Sequence, residues 1–207
     1  MHDNRIVHIV DDDEAVRQSL AFLLGSAGLA VRLYDSATTF LGALPSIKGG
    51  CLITDIRMPG MNGIELLHEL KSKASTLPII VITGHGDVAL AVEAMKAGAV
   101  DFIEKPFDEE EIFRAVEAAM ERASGENGDG AAIAVRLASL SERERQVLEG
   151  LVAGHHNKTI AYDLGISPRT VEVYRANLMA KMEARSLSEL LRMAISAKIA
   201  PTRRGSF

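Results

Sequence analysis

Ile6-Val-His-Ile-Val-Asp-Asp-Asp-Glu14 runs five residues, four of them β-branched, straight into a block of carboxylates, and it decides the reading of the N-terminal half of the chain. From Arg5 onward the same alternation recurs, a short apolar run bounded by turn residues and then an amphipathic helical pattern. That is the pattern of βα units feeding a parallel sheet. The spacing predicts strands over 6–10, 30–34, 51–55, 79–83 and 100–104, and helices over 14–27, 37–44, 63–71, 88–97 and 109–123, with Gly28 and Gly98 at helix C-termini. Five right-handed βα units make a five-stranded, doubly wound α/β domain of flavodoxin-like type, whose ligand crevice lies beyond the carboxyl ends of the strands.

Past this domain the character of the chain changes. Ser124-Gly-Glu-Asn-Gly-Asp-Gly130 has three glycines and no large apolar residue, and it opens an expected flexible linker over 124–136. A surface loop inside one domain is the alternative, but the charge shift opposes it. Residues 1–122 hold 11 Lys and Arg against 19 Asp and Glu, a net of −8; residues 123–207 hold 12 against 9, a net of +3. The whole-chain net of −5 therefore hides a basic C-terminal part. Its pattern is helical throughout, with capping-box signals at Ser141-Glu-Arg-Glu144 and Ser186-Leu-Ser-Glu189, so a small all-α domain is expected over 137–207.

Composition excludes other classes. With 47% hydrophobic and 25% charged residues the chain is ordinary for a soluble protein, and no apolar run reaches the roughly 18 residues of a membrane span. Its start lacks the pattern of a secretory signal, so a cytoplasmic protein without a membrane partner is expected. Cys51 is the single cysteine, so it can form neither an internal disulfide nor a Cys-based zinc site, and its apolar neighbours place it in a buried strand.

Chemistry gathers at the predicted strand ends. Asp11-Asp-Asp13 follow the first strand, Asp55 closes the third, Thr83 the fourth, and Lys105-Pro106 follow the fifth. Crowded carboxylates repel one another and rise in pKa unless a cation neutralises them. Mg2+ suits the task, taking one or two carboxylates plus water and leaving positions for phosphate oxygens. Asp55 is then placed to attack a phosphoryl group, with Lys105 balancing charge and Thr83 donating a hydrogen bond. Residue by residue, a plainer reading stands beside this one: the aspartates cap the next helix, and Lys105 is a solvated strand-end charge.

At these positions the sequence resembles the receiver domains of response regulators, through Ile9-Val-Asp-Asp-Asp13, Thr54-Asp-Ile-Arg-Met-Pro-Gly-Met-Asn-Gly63, Ile82-Thr-Gly-His85 and Lys105-Pro-Phe107, over residues 5–122. The resemblance implies that Asp55 is the phosphoacceptor and that Asp12, the Asp55 carboxylate and the Arg57 carbonyl hold Mg2+, with Asp11 assisting through water. It implies that Thr83 and Lys105 bind the phosphoryl group, and that Phe102 is an aromatic switch acting by packing, since it lacks a tyrosine's hydroxyl. It also implies a cis Lys105–Pro106 bond. A sensor histidine kinase is the implied phosphoryl donor, and no turnover of a separate substrate is expected.

Between Asn157 and Lys181 two helical patterns flank Gly165-Ile-Ser-Pro168, where Gly165 can end one helix and Ser167 with Pro168 start the next. This is helix-turn-helix spacing. The second helix carries Arg169, Thr170, Arg175, Asn177 and Lys181 for phosphates and base edges, while Val171, Tyr174, Leu178 and Met182 recur on a core face. An ordinary amphipathic helix with a solvated charged side is the plainer reading. His155 and His156 lack the neighbouring ligands that a metal site needs.

The region 137–198 resembles a LuxR-type DNA-binding domain through Leu140-Ser-Glu-Arg-Glu-Arg-Gln-Val-Leu148, Asn157-Lys-Thr-Ile-Ala161 and Ser167-Pro-Arg-Thr-Val-Glu-Val-Tyr-Arg175. Both halves together resemble the FixJ type of response regulator, with Gly84-His-Gly-Asp-Val88 and the run 94–107 in support. The resemblance implies a transcriptional activator acting on double-stranded promoter DNA and RNA polymerase. Glu172, Val173 and Ala176 would face the major groove, with Lys158, Thr159, Arg169, Thr170, Arg175 and Lys181 mainly on phosphates. It further implies a homodimer on phosphorylation, with Val88, Val92 and Lys96 near the interface.

Competing classes fit less well. A Mg2+-dependent phosphohydrolase of the haloacid dehalogenase type needs an acid two residues after the nucleophile, where Arg57 stands. A dinucleotide-binding enzyme needs a Gly-x-Gly-x-x-Gly turn, where three aspartates would repel pyrophosphate. A receiver acting only through protein contacts leaves the helical half unexplained.

Overall fold

The structure, a computed structural model, describes residues 5–84, 88–123 and 130–199. By its internal contacts the chain divides into two units, residues 1–85 with 97–127 and residues 86–96 with 128–207.

The first unit is built on five parallel strands, β1 (Ile6–Val10), β2 (Ala30–Tyr34), β3 (Cys51–Asp55), β4 (Ile79–Thr83) and β5 (Asp101–Glu104), in the order β2-β1-β3-β4-β5. Around them run α1 (Glu14–Ser26), α2 (Ala37–Ala43) continued by a 3-10 turn at Leu44–Ser46, α3 (Gly63–Ser72), α4 (Val88–Ala97) and α5 (Glu109–Ala123), of which α4 falls with the second unit by its contacts. The order reverses direction between β1 and β3, and this is the switch point beyond whose carboxyl ends a ligand crevice opens. The expected strands appear, with β5 starting at Asp101 rather than residue 100.

Strands buried on both faces read as near-continuous apolar runs, and β3 and β4 are buried at every position, with polar residues only at their carboxyl ends, Thr54, Asp55 and Thr83. One face packs Val7, Ile9, Cys51, Ile53, Ile80, Ile82 and Ile103 against Leu20 and Leu24 of α1 and Ile112, Val116 and Ala119 of α5. On the other face His8 packs beside the rings of Tyr34 and Phe40, its centroid 6.0 Å from each, while those two rings meet edge-on at 5.1 Å. Because the Gly49 carbonyl only accepts, His8 Nε2 donates to it and Nδ1 accepts from the Tyr34 hydroxyl, both at 3.3 Å. Burial lowers the pKa of this imidazole. Cys51 is fully buried, and burial pushes its thiol up to about 12, so it acts as core.

In the second unit α6 (Gly130–Ala138), α7 (Glu142–Val152), α8 (Asn157–Leu164), α9 (Pro168–Met182) and α10 (Leu187–Ser196) follow α4 in chain order. The linker expectation is corrected here: residues 130–136 are helical, and 124–129 lie outside the described residues. Gly165, at φ 64°, ends α8, and Ser167 caps α9 with Pro168 in its first turn, as the helix-turn-helix reading required. Val147, Leu148, Leu151, Ile160, Val171, Leu178, Met182, Leu190 and Leu191 form the buried centre. Tyr174, expected with them, is only half-buried. The Ser141 box closes reciprocally with Glu144. At Ser186 the Glu189 carboxylate takes the Arg185 amide instead of the Ser186 amide.

Candidate functional site

At the carboxyl end of the sheet, β1 and β3 deliver two buried carboxylates to one cation. Lys105 Nζ stands 2.6 Å from Asp55 Oδ1 and 3.3 Å from Asp11 Oδ2. Asp55 is 7% exposed and Asp11 2%. The second Asp55 oxygen accepts the Arg57 amide, so both oxygens are oriented from outside the strand. Burial raises the pKa of Asp11, and the Asp55 charge adds to this, against the Asp13 amide and Lys105. Burial alone would lower Lys105, but the bond and charge of Asp55, with Asp11 behind them, hold it above its ordinary value.

The two readings of the aspartates divide by residue. Asp13 caps α1, accepting from the Ala15 and Val16 amides. Asp11 instead turns toward Lys105, and Lys105 is an ion-pair partner rather than a solvated charge. Asp12 lies exposed between them. Thr83 is buried, with its hydroxyl donating to the Gly84 carbonyl at 3.2 Å. Phe102 is half-buried on β5, and the Lys105–Pro106 bond is cis.

The donor set suits a hard divalent ion. Two carboxylates served by one ammonium leave negative charge unmatched, and oxygen ligands are what Mg2+ takes. Among the described residues no group of three or more His, Cys, Asp or Glu is placed to hold a metal ion by itself. Mg2+ does not need one, because it retains several waters.

Sequence reasoning passed over Gly63, the first residue of α3. A Cβ there would lie 2.4 Å from the Asp55 carbonyl oxygen and 2.9 Å from Ile56 Cα, so only glycine lets α3 begin against the turn that follows Asp55. The Gly63 amide donates to the Ile56 carbonyl at 2.9 Å, and Asn62 with Glu65 closes an unforeseen capping box.

On α9 the residues Arg169, Glu172, Val173 and Ala176 are all exposed, spaced so that they share one face. Val173 is 56% exposed. Lys158 is exposed and Thr159 half-buried on α8. Thr170 pairs its hydroxyl with Ser167 in the cap. Arg175 donates through Nη1 to Asn157 Oδ1 at 3.0 Å, which steadies a half-buried guanidinium.

Lys181 departs from its expected place. Its ammonium donates to Glu144 Oε2 at 2.7 Å and to the Ser139 carbonyl at 3.3 Å, so it ties the end of α9 to α7 rather than waiting for a phosphate. Glu144, 4% exposed, is held below the usual carboxylate range by that bond and by the Ser141 amide. His155 Nδ1 lies 3.8 Å from Asp163 Oδ2. Of the expected dimer surface, Lys96 is exposed but Val92 is 2% exposed, so its side chain is not offered to a partner in this conformation. The side chain of Val88, and His85, Gly86 and Asp87 of the loop before it, lie outside the described residues.

Comparison with known proteins agrees with this geometry. Residues 7–117 match the response regulator receiver domain, and residues 138–194 match the luxR family of bacterial regulatory proteins. The chain is 58% identical over 204 residues to the transcriptional regulatory protein FixJ of Azorhizobium caulinodans, covering 97% of each chain. It is 43% identical over 191 residues to the response regulator protein TodT of Pseudomonas putida, covering 91% of this chain and 84% of that one. Among solved structures it is similar to full-length FixJ from B. japonicum, with 55% identity, a TM-score of 0.57, and coverage of 94% of this chain and 97% of that one.

Proposed function

The chain belongs to the response regulators, with a receiver domain followed by a LuxR-type DNA-binding domain that regulates transcription, and on that premise we propose that Asp55 is its phosphoacceptor and that phosphorylation there controls how α9 occupies promoter DNA. The observation that carries the reading is Lys105 Nζ, 2.6 Å from Asp55 Oδ1 and 3.3 Å from Asp11 Oδ2 at the switch point of the sheet.

The donor is a sensor histidine kinase. The Asp55 carboxylate attacks the phosphorus of its phosphohistidine, the P–N bond breaks, the imidazole leaves, and an aspartyl phosphate remains. Asp12, the Asp55 carboxylate and the Arg57 carbonyl, with Asp11 behind them, would hold Mg2+, which when bound would supply countercharge to the transferring oxygens. Lys105 pairs with the new dianion and Thr83 turns its hydroxyl from the Gly84 carbonyl toward it. No separate substrate is turned over.

One helix on a small basic domain binds DNA weakly, and two copies on a two-fold site gain through effective concentration. The reading therefore has phosphorylated receivers pair, raising promoter occupancy and, with RNA polymerase, transcription. No described helix is long and apolar enough to cross a membrane. Work on promoter DNA supports a cytoplasmic reading. Sedimentation and DNA retention of the full chain, with and without beryllofluoride, test this. A dimer and stronger retention with beryllofluoride are expected. An unchanged monomer with stronger retention would replace pairing by release of an inhibitory contact.

A further inference from the structure

Asp12 is the one carboxylate of the proposed metal set that stands exposed in a loop, so its direction depends on the backbone that carries it. That backbone is held in three ways. The Asp11 amide donates to the Tyr34 carbonyl at 3.4 Å, which continues the strand. The Asp13 amide donates to Asp11 Oδ1 at 2.8 Å, which folds the turn. The third is a side chain from α1: Arg17 Nη1 donates to the Asp11 main-chain carbonyl at 2.7 Å, a charge-assisted bond in a half-buried setting.

The Asp11 carbonyl belongs to the peptide that joins Asp11 to Asp12. Peptides are planar, so fixing that oxygen fixes the amide of Asp12 and the direction in which its Cα departs. Arg17 is itself anchored, because its own amide closes the first turn of α1 on the Asp13 carbonyl at 3.1 Å. The guanidinium also lies in the field of Asp35. We propose that Arg17 is a positioning residue of the phosphoryl-transfer site, holding the Asp11–Asp12 peptide so that the Asp12 carboxylate is directed at the divalent ion. This rests on the reading of the crevice as a metal site.

Charge and positioning make opposite predictions here. Removing a cation beside an acidic crevice strengthens binding of a metal ion by Coulomb's law. Removing an outer group that orients a ligand weakens it, typically by 10- to 100-fold. The decisive experiment titrates unphosphorylated full-length protein with Mn2+ and follows the free ion by electron paramagnetic resonance. For Arg17→Ala the Kd for Mn2+ rises about tenfold, while Arg17→Lys, which keeps a charged donor, stays closer to wild type. Acetyl phosphate then modifies Arg17→Ala at nearly the wild-type rate once Mg2+ is saturating, with the loss confined to the metal concentration required. Melting in the presence of a chelator measures any purely structural role: a variant that melts lower but binds Mn2+ as wild type does overturns the proposal. So does Arg17→Ala binding Mn2+ more tightly. A wild-type protein that took up no Mn2+ would overturn the metal reading, and this inference with it; wild-type binding with an indifferent Arg17→Ala overturns this inference alone.

Discussion

Lys181 and Glu144, 37 residues apart, meet at 2.7 Å between Nζ and Oε2, so the last cation of α9 is paired inside its own domain. The carboxylate is nearly buried while the ammonium keeps contact with solvent, and this places the pair between the small value of surface bridges and the large cost of breaking buried ones. Lys181→Met should cost about 2 kcal/mol in urea unfolding and leave the salt dependence of DNA binding almost unchanged. Because the folded-state pKa of Glu144 lies below 4.5, its contribution is present above that value and fades as pH falls through the folded pKa. The stability gap between wild type and Glu144→Gln should close over the same acidic window.

Arg175 should behave in the opposite way. Held by Asn157 but with most of its donors unused by that bond, it is placed for a phosphate. Arg175→Ala should weaken binding to all duplex sequences alike and reduce the slope of log K against log salt by about 1. Equal slopes for wild type and variant, by fluorescence anisotropy, would remove it from the interface.

How much of this was legible in the chain varies with the range of the interaction. The strands were readable because each is a short apolar run ended by turn residues, and even the error at residue 100 is a matter of one position. Lys105 and Asp55 are 50 residues apart, yet both sit at strand ends, and a parallel sheet aligns strand ends. The bond from Lys181 to Glu144 was not legible, because it depends on how α7 crosses α9, an angle that no local spacing records. The helix from Gly130 was hidden by the glycines and acids just before it. Nothing in the spacing of Arg17 or Gly63 marks what either touches, since each acts on backbone rather than on a patterned side chain.

Gly63→Ala tests that close approach. With 2.4 Å to the Asp55 carbonyl, the added methyl forces α3 away from the turn that follows Asp55. Urea unfolding should show a loss of about 2 kcal/mol, and acetyl phosphate should modify the variant several-fold more slowly. Wild-type values for both would mean that the turn yields without consequence.

His8 gives the receiver an acid limit. Burial holds its folded-state pKa below 6.5, so the unfolded chain binds the proton first and stability is lost as pH falls from 6.5 through the folded pKa. His8→Phe should flatten that part of the stability profile, and a slope that persists in the variant would assign the acid sensitivity elsewhere.

Phosphorylation of Asp55 is the claim on which the rest depends. Wild type and Asp55→Asn, incubated with acetyl phosphate and Mg2+ and weighed as intact proteins, test it most directly. A single phosphate adduct on wild type is expected, with none on Asp55→Asn and none on wild type once Mg2+ is chelated. An adduct of equal yield on Asp55→Asn would contradict the account.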